Sequence, residues 1–448
     1  MKRWVFAFAL CAAGCGDSGS DSAAGSGGQS GAGGQAGTAG VSGGGAGGSA
    51  GTGGIASCEA SSARCDALSE TERPFRPSEH SIAFAENTAE LVLFGGTQGV
   101  SVQCQTPPPA YIAETWVYDR PCNVWQRVSG VGPDARGRHA SAYGDGAVWI
   151  FGGRYRADGS TSGNYTIFND VWRFDVEARS WSRMETNGDA PAARSNASLV
   201  WDSKRSKLWM FGGNTSASGA VYTPQNDVWS FDPATNSWAE HSSSDGPAPR
   251  LFHAALYDSK RDALVIYGGA DETLFNPTAR YFQDLWSLDL ESLSWKELAP
   301  AITARPTGRF WPALGFDEAS DRYLIFGGHD DQTLGNRNDL WAMSPTDGSW
   351  IELTGGDTLQ NTNTGVCDFP VDFTDVDTAA PERRHAQGVA FAKACGEMLV
   401  VGGKTDCGVV DDVWSYSAGS WQELRAATEG EVCLRWRSDT SLCNNLCN

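Results

Sequence analysis

The fold is decided by the stretch Asn226-Asp227-Val228-Trp229-Ser230-Phe231-Asp232-Pro233-Ala234-Thr235-Asn236-Ser237-Trp238. Trp229 and Phe231 are two residues apart, so both side chains point to one face of a β-strand. Residues 232–236 have turn chemistry, because Pro fixes φ and the Asp and Asn side chains can bond to nearby backbone groups. Trp238 then begins a second strand. The stretch therefore predicts two short strands joined by a tight turn.

Related stretches occur six times, and each follows a Gly pair that ends an apolar run such as Leu208-Trp209-Met210-Phe211. Continuous runs of β-branched and aromatic residues are expected for strands that are buried on both faces. Successive Gly pairs lie 57, 60, 56, 59 and 75 residues apart. The six pairs are Gly95-Gly96, Gly152-Gly153, Gly212-Gly213, Gly268-Gly269, Gly327-Gly328 and Gly402-Gly403. A repeated unit of this size predicts one large repeat domain.

This pattern resembles the kelch repeat, in which a strand ending in Gly-Gly precedes an aromatic strand and a strand that begins with Trp. The resemblance covers residues 78–424 and implies an all-β fold, a six-bladed β-propeller of four-stranded antiparallel blades. Every blade is complete in chain order, so we expect no exchange of strands to fasten the ring. The Gly pairs are expected to let neighbouring backbones approach closely.

The N-terminus has the layout of a secretory signal peptide, with basic Lys2 and Arg3 before an apolar segment that is too short to span a bilayer. We predict a signal peptide over residues 1–14. The residues that end at Cys15 resemble the lipobox of bacterial lipoproteins, which implies lipidation of Cys15; an ordinary cleaved signal is the alternative. Residues 15–57 are rich in Gly, Ser and Ala and predict a flexible linker. The expected location is the bacterial cell envelope, with the chain anchored to the outer membrane.

Ten Cys lie beyond the leader, and an even number in an exported chain favours disulfides. Residues 58–77 form a lead-in that carries Cys58 and Cys65, and residues 425–448 form a Cys-rich tail. We expect within-blade bonds Cys104–Cys122 and Cys395–Cys407. We also expect a bond between the lead-in and the tail that closes the ring, for which the tail offers Cys433, Cys443 and Cys447.

The chain is acidic, with a formal net charge of −20. Non-specific nucleic-acid binding requires a basic surface, so no nucleic-acid partner is predicted. An acidic surface favours a soluble monomer. The residues indicate no cofactor and no metal site, since no Cys pair shows the CxxC spacing of zinc or redox sites.

The two faces of the propeller differ in their connections. Connections after the first and third strands of each blade are short, such as residues 203–206 and 232–235, whereas those after the second and fourth strands are long and varied. Long loops on a rigid scaffold are the usual place for binding. Three aromatic residues of these loops are candidate ligand contacts, Tyr165, Tyr222 and Tyr281, with packing between loops as the alternative.

A recurrent Arg/His cluster lies near the start of the first strand of each blade. We align His80, His139, His253 and His385 in one register, with Asn196 and Pro312 in the other two blades. Since this strand is innermost, the cluster is predicted to surround the mouth of a central channel, where Arg suits bidentate contact with an anion. A structural role between blades is the alternative. The candidate residues are Arg138, Arg194, Arg250, Arg309, Arg384, His139, His253 and His385.

The pattern favours a non-catalytic binding module at the cell surface whose loop face recognises a protein or a polysaccharide. The alternative is a carbohydrate-active kelch enzyme that acts at the channel mouth and is similar to sialic-acid epimerases or galactose oxidase. The sequence offers no convincing set of Tyr and His ligands for the copper of galactose oxidase. No catalytic residue is predicted, because the members of a site would come from different blades.

Overall fold

The computed structural model describes residues 58–98, 110–157, 163–241, 245–274, 276, 279–298, 304–330, 335–359, 374–375, 377–405 and 408–428. Almost all regular structure in these ranges is β. The one helix among them, α1 (Ser62–Asp66), is a single short turn whose N-cap, Ser61, accepts a hydrogen bond from the amide of Arg64. Within these ranges no helix is both long and apolar enough to span a bilayer.

Five four-stranded antiparallel sheets and one five-stranded sheet follow one another along these residues, and we call them blades 1 to 6. The first half of the chain contributes blades 1 to 3. Its strands are β1 (Pro77–Ser78), β2 (Ser81–Ala85), β3 (Glu90–Phe94), β4 (Thr97–Gln98), β5 (Ala110–Tyr111), β6 (Thr115–Asp119), β7 (Val124–Val128), β8 (Ala140–Gly144), β9 (Ala147–Phe151), β10 (Arg154–Tyr155), β11 (Thr166–Ile167), β12 (Val171–Asp175), β13 (Ser180–Met184), β14 (Ser198–Asp202), β15 (Lys207–Asn214), β16 (Pro224–Asp232) and β17 (Ser237–His241).

The second half contributes blades 4 to 6. Its strands are β18 (Ala254–Asp258), β19 (Ala263–Tyr267), β20 (Leu285–Asp289), β21 (Trp295–Leu298), β22 (Ala313–Asp317), β23 (Arg322–Phe326), β24 (Leu340–Met343), β25 (Trp350–Thr354), β26 (Thr358–Leu359), β27 (Thr374–Asp375), β28 (Arg384–His385), β29 (Gly388–Ala392), β30 (Glu397–Thr405), β31 (Val409–Ser417) and β32 (Ser420–Arg425).

Each blade pairs its four strands in chain order. Blade 1 is β2-β3-β6-β7, blade 2 is β8-β9-β12-β13, blade 3 is β14-β15-β16-β17, blade 4 is β18-β19-β20-β21, blade 5 is β22-β23-β24-β25 and blade 6 is β29-β30-β31-β32. The additional strand β28 also pairs with β30. Within the ranges that the structure describes, no strand is exchanged between the first and last blades, so other contacts fasten that seam.

The core lies between the blades, because each apolar second strand is buried on both faces. Between blades 3 and 4, for example, Trp209 and Phe211 pack against Leu264 and Ile266. Trp295, which begins the fourth strand of blade 4, meets the Phe211 ring at its edge with 5.4 Å between centroids. The repeated Trp residues thus fill the space that a single sheet leaves uncovered.

The first strands of the blades pack against one another in order, and β2 of blade 1 packs against β29 of blade 6. They surround a central channel. Connections after the first and third strands leave on one side, which we call the turn face. Connections after the second and fourth strands leave on the other side, the loop face, where the small sheets β1-β4-β5 and β10-β11 also lie.

The two disulfides in the described residues differ from the sequence expectation. Cys58 is bonded to Cys395 in the β29–β30 turn, and Cys65 is bonded to Cys122 in the β6–β7 turn. The expected pairs Cys104–Cys122 and Cys395–Cys407 are therefore wrong, as is a bond from the lead-in to the tail. Cys15, Cys104, Cys407, Cys433, Cys443 and Cys447 lie outside the described residues.

The lead-in nevertheless fastens the ring, because it is bonded to blade 6 at one Cys and to blade 1 at the other. The segment between them includes α1, whose Arg64 donates hydrogen bonds to Asp119 Oδ2 at 2.8 Å and to the Thr88 carbonyl at 2.7 Å. A direct ion pair from Arg120 to Glu397 also joins blade 1 to blade 6. The seam is held on the turn face by covalent and ionic contacts together.

Removing the Cys58–Cys395 bond should destabilise the protein more than removing Cys65–Cys122. The first bond links residues 337 positions apart and the second links residues 57 apart, and the loss of chain entropy grows with loop length. We expect each Cys→Ser double variant to lose about 2–5 kcal/mol of unfolding free energy. Urea unfolding of both variants, with and without reductant, checks this. A Cys58/Cys395 variant as stable as the oxidised protein would contradict the role of the lead-in.

Candidate functional site

A buried Arg–Asp pair recurs at the loop-face end of blades 2 to 6. In blade 4, Arg250 donates through Nη1 to Asp284 Oδ1 at 2.7 Å and through Nη2 to Oδ2 at 2.8 Å. Its Nη1 also donates to the Gly268 carbonyl at 3.0 Å, and Trp286 Nε1 donates to Asp284 at 2.7 Å. The equivalent pairs are Arg136–Asp170, Arg194–Asp227, Arg309–Asp339 and Arg384–Asp412.

Four of the Arg residues that we predicted at the channel mouth are therefore held in these buried Arg–Asp pairs. The side chains of Arg194, Arg250, Arg309 and Arg384 are between 0% and 2% exposed. Burial alone would raise the pKa of Asp284, but the hydrogen bonds and charge of Arg250 lower it below its ordinary value. The side chains of these Arg residues bind groups of their own blade. They therefore have a structural role, which was the alternative to contact with an anion.

The same Arg residues also join neighbouring blades through their backbone. The Gly213 amide of blade 3 donates to the Arg250 carbonyl at 3.0 Å, and the Gly269 amide of blade 4 donates to the Arg309 carbonyl at 2.9 Å. A Cβ on Gly152 would lie 2.5 Å from the Arg194 carbonyl, and its φ of +68° favours glycine. The Gly pair therefore has to be glycine because the Arg backbone of the next blade passes so close.

The register that we assigned to the His residues is partly wrong. A residue with positive φ precedes the first strand in every blade: Glu79, Arg138, Asn196, Phe252, Trp311 and Ala386. His80, His139 and His253 directly follow such a residue, but in blade 6 that position is Gln387, and His385 lies two residues earlier. Asn196 likewise lies one residue before the His register, which Ala197 occupies in blade 3.

His80, His139 and His253 are buried, and burial lowers the pKa of each to about 3. His139 Nε2 lies 2.7 Å from Ser81 Oγ, and His253 Nε2 lies 2.8 Å from Ser198 Oγ. Each of these two contacts joins a blade to the one before it. All three imidazoles are therefore neutral and contribute no positive charge to the channel, and those of His139 and His253 form hydrogen bonds between blades.

The pKa of His253 predicts a pH-dependent stability. The folded protein binds no proton there above about pH 3, while the unfolded chain binds one below about pH 6.5, so acid favours unfolding. We expect the stability of the wild type relative to His253→Gln to fall by about 2 kcal/mol between pH 7 and pH 5.

Urea unfolding at both pH values measures this difference. His241→Gln is the matched control, because His241 is only partly buried and should show a smaller change. Equal pH dependence of the wild type and His253→Gln would contradict a neutral, buried His253.

The residues with positive φ form a ring at the loop-face mouth of the channel. Backbone amides link them from blade to blade: Arg138 donates to Glu79 at 2.8 Å, Asn196 to Arg138 at 2.8 Å and Trp311 to Phe252 at 2.8 Å. The Glu79 amide donates to Ala386 at 3.1 Å and joins blade 1 to blade 6. The ring therefore holds side chains of different blades in fixed positions at one place.

The Arg138 side chain crosses this mouth. Its Nε and Nη2 donate to the Glu79 carboxylate at 2.7 and 2.9 Å. Its guanidinium lies 5.0 Å from the ring centroid of Phe252 and 5.1 Å from that of Trp311, which belong to blades 4 and 5. Arg138 thus covers the channel at the loop face, and it is the one predicted Arg that lies there.

Three cations contact the single carboxylate of Glu79. Besides Arg138, Lys404 Nζ lies 2.8 Å and Arg154 Nη2 lies 3.6 Å from its oxygens. Burial would raise the pKa of Glu79, but Arg138, Lys404 and Arg154 hold it well below its ordinary value. Since the Lys404 side chain is 25% exposed, the positive charge of this cluster reaches the surface.

The predicted aromatic contacts lie around the mouth in two groups. Tyr165 has guanidinium groups over its ring, Arg154 at 4.0 Å and Arg156 at 3.7 Å from the centroid. Tyr222 and Tyr281 pack against the buried cluster that contains Phe252 and Phe310.

His385 of the predicted Arg/His cluster also lies here. Its ring centroid is 5.8 Å from that of Trp311, and its Nδ1 lies 2.7 Å from Asn336 Oδ1.

Sequence reasoning missed Glu79 and Lys404. Glu79 precedes His80 directly and could have been found by aligning the residue before each His. Lys404 follows the last Gly pair, but nothing in the sequence indicates that blade 6 brings it to blade 1. Among the residues that the structure describes, no group of three or more His, Cys, Asp or Glu side chains is arranged to hold a metal ion.

Comparison with known proteins agrees with this geometry. The KLHDC2/KLHL20/DRC7 Kelch-repeats domain matches residues 155–367. The chain is thus similar to kelch repeats over just under half of its length. Kelch-repeat domains generally mediate interactions between proteins, which is consistent with a binding module.

The chain is similar over part of its length to several kelch-domain proteins. Kelch domain-containing protein 3 of Bos taurus is 24% identical over 244 residues, which cover 51% of this chain and 59% of that protein. Kelch domain-containing protein 10 of Rattus norvegicus is 26% identical over 228 residues, 49% of this chain and 52% of that protein. The Leucine-zipper-like transcriptional regulator 1 homolog of Drosophila melanogaster is 25% identical over 304 residues, 66% of this chain and 27% of that protein. The match thus covers less than two thirds of each of these relatives.

Proposed function

We propose that the protein is a non-catalytic binding module whose loop face recognises an acidic segment of a protein partner. The observation that carries this proposal is the cluster at the loop-face mouth, where Arg138, Arg154 and Lys404 contact one carboxylate. The protein has a net charge of −20, yet three positively charged side chains lie together at this mouth. The mouth is formed by the ring of residues with positive φ. A complementary acidic segment gains both steering and specificity from such a cluster.

The surroundings of the mouth suit a peptide better than a sugar. A sugar ring needs an open aromatic face, but Arg154 and Arg156 lie over the Tyr165 ring. Tyr222 and Tyr281 are engaged in packing against the Phe310 cluster. A charged and partly exposed rim around buried aromatic anchors is typical of protein–protein contacts. For this reason we favour a protein over a glycan as the partner. We also favour binding at the loop face over catalysis at the channel mouth.

The arrangement of the chain fits a six-bladed propeller displayed from a membrane. We propose that Cys15 is lipidated, that residues 15–57 form the tether of an envelope protein, and that the protein acts as a monomer. The disulfide at Cys58 lies on the turn face.

Charge-matched peptides test the proposed function. We expect a ten-residue peptide with four Glu to bind the full chain more tightly than its Gln counterpart, and a Lys counterpart not to bind. Lys404→Gln should weaken the Glu peptide about threefold to tenfold, because the side chain supplies one charge to the mouth. Lys296→Gln, an exposed change on an outer strand, is the control.

Fluorescence anisotropy at low and at high salt measures these affinities. The advantage of the Glu peptide should shrink at high salt, since exposed charges are screened. Equal affinity for the Glu and Gln peptides, or equal effects of the two Lys variants, would overturn the proposal.

A further inference from the structure

The central channel contains two cavities that share lining residues. An inner cavity of about 180 Å³ lies next to the loop-face ring and is lined by His80, Ser198 and Gln387 among others. An outer cavity of about 430 Å³ opens at the turn face. Ile82, Ser141, Leu199, Leu314 and Val389 line both, so the two are consecutive parts of one channel. Since Arg138 crosses the loop-face mouth, the channel is entered from the turn face.

The inner end of the channel carries hydrogen-bonding groups that have no partner. His80 is 8% exposed, and neither its Nδ1 nor its Nε2 has a hydrogen-bond partner. Gln387 is 9% exposed, and its Oε1 is also without one. A buried polar group without a hydrogen-bond partner costs about 1–3 kcal/mol of folding stability. These groups therefore favour a cavity that holds a ligand with hydrogen-bonding atoms.

Among the described residues, no charged side chain lines the inner cavity. Its wall consists of Ala, Ile, Leu, Val, Ser, Pro, Gly, Gln and His residues. Burial lowers the pKa of His80 to about 3, so the imidazole is neutral at physiological pH and offers one N–H donor and one N acceptor. An ionised ligand would lose its hydration there without a counter-charge, which excludes carboxylates and ammonium groups.

The entrance is surrounded by aromatic side chains at one repeated position. The fourth residue of the first strand is aromatic in every blade: Phe84, Tyr143, Trp201, Tyr257, Phe316 and Phe391. All six line the outer cavity while packing between blades. Gly144 makes room for one of them, because a Cβ at Gly144 would lie 2.0 Å from the Trp201 ring. A ring-shaped group at the entrance would contact these side chains.

We propose that the channel binds an uncharged small molecule that carries a hydroxyl or carboxamide group on an apolar body with a ring. The hydroxyl accepts from the His80 N–H and donates to Gln387 Oε1 at the inner end. The apolar body lies along Ile82, Leu199 and Leu314, and the ring lies among the aromatic side chains of the entrance. This site opens on the face opposite to the proposed protein-binding surface, and its proposed ligand is independent of that surface.

The test compares three compounds of one shape on the full chain with its disulfides intact. The probes are 4-phenylbutan-1-ol, the carboxylate 4-phenylbutanoate and the ammonium compound 4-phenylbutan-1-amine. We expect saturable binding of the alcohol by isothermal titration calorimetry, with a change in fluorescence that is reduced in Trp201→Phe. The charged analogues should bind at least about tenfold more weakly, because their charged group would have no partner at the inner end of the channel, where the lining residues are uncharged.

A matched pair of variants locates the alcohol. Gln387→Leu keeps the size of the side chain but removes the inner acceptor, and it should weaken the alcohol about tenfold. Gln422→Leu on the exposed outer strand β32 should leave its affinity unchanged. Near-UV circular dichroism establishes that both variants are folded, and the comparison of the three compounds on the wild type decides the question even if Gln387→Leu does not fold.

Two results would overturn the proposal. One is the absence of saturable binding by the alcohol, with only water seen in the channel of a crystal soaked in it. The other is equal affinity for the alcohol and the two charged compounds, which would place binding outside the inner cavity with its uncharged lining.

Discussion

The structure depends on one arginine in each of blades 2 to 6, whose side chain and backbone carbonyl bind two different blades. The guanidinium of Arg250 is fully buried and holds Asp284 and the Gly268 carbonyl of its own blade. The carbonyl of the same residue accepts the Gly213 amide of the blade before it. Because a buried charge without its partner is costly, the Asp is as necessary as the Arg. Five blades repeat this arrangement, and each therefore fixes the position of its neighbour.

Blade 1 departs from the arrangement and is secured differently. Pro77 occupies the position of the Arg, and Glu114 takes the place of the Asp. Glu114 accepts from Trp116 Nε1 at 3.0 Å and pairs with Arg127, whose side chain is 48% exposed. This pair is weak, since exposed ion pairs contribute about 0–1 kcal/mol. Blade 1 therefore lacks the buried Arg–Asp pair. The two disulfides of the lead-in lie at the seam between blade 1 and blade 6.

The sequence was sufficient to predict the strands, because the Gly pairs and Trp residues mark each blade by chemistry that the packing requires. It was not sufficient for the contacts between distant residues. The His register failed in blade 6, where adjacent Arg383 and Arg384 follow a long loop and offer two alignments. The positive φ of Glu79 and Phe252 could not be anticipated, since neither residue favours it. The pairing of Cys58 with Cys395 and of Glu79 with Lys404 depends on the closing of the ring, which brings the two ends of the chain together.

The two ends of the channel differ in chemistry because different residues of the first strands reach them. At the loop face, the strand entries bring together Glu79, Arg138 and Trp311, a charged and partly exposed surface. At the turn face, the strand ends bring together aromatic side chains around the outer cavity, which leads to an inner cavity with an uncharged lining. The same repeat thus supports a surface suited to a peptide and a channel suited to a small molecule.

Native-state amide hydrogen exchange in Asp284→Asn tests most directly whether the Arg residues couple the blades. Asp284 belongs to blade 4, yet its loss should loosen Arg250 and so accelerate exchange at the Gly213 amide in blade 3 by about tenfold relative to Val92 in blade 1. Asp189→Asn, an exposed change, should leave this ratio as in the wild type. Acceleration confined to blade 4 would contradict the account.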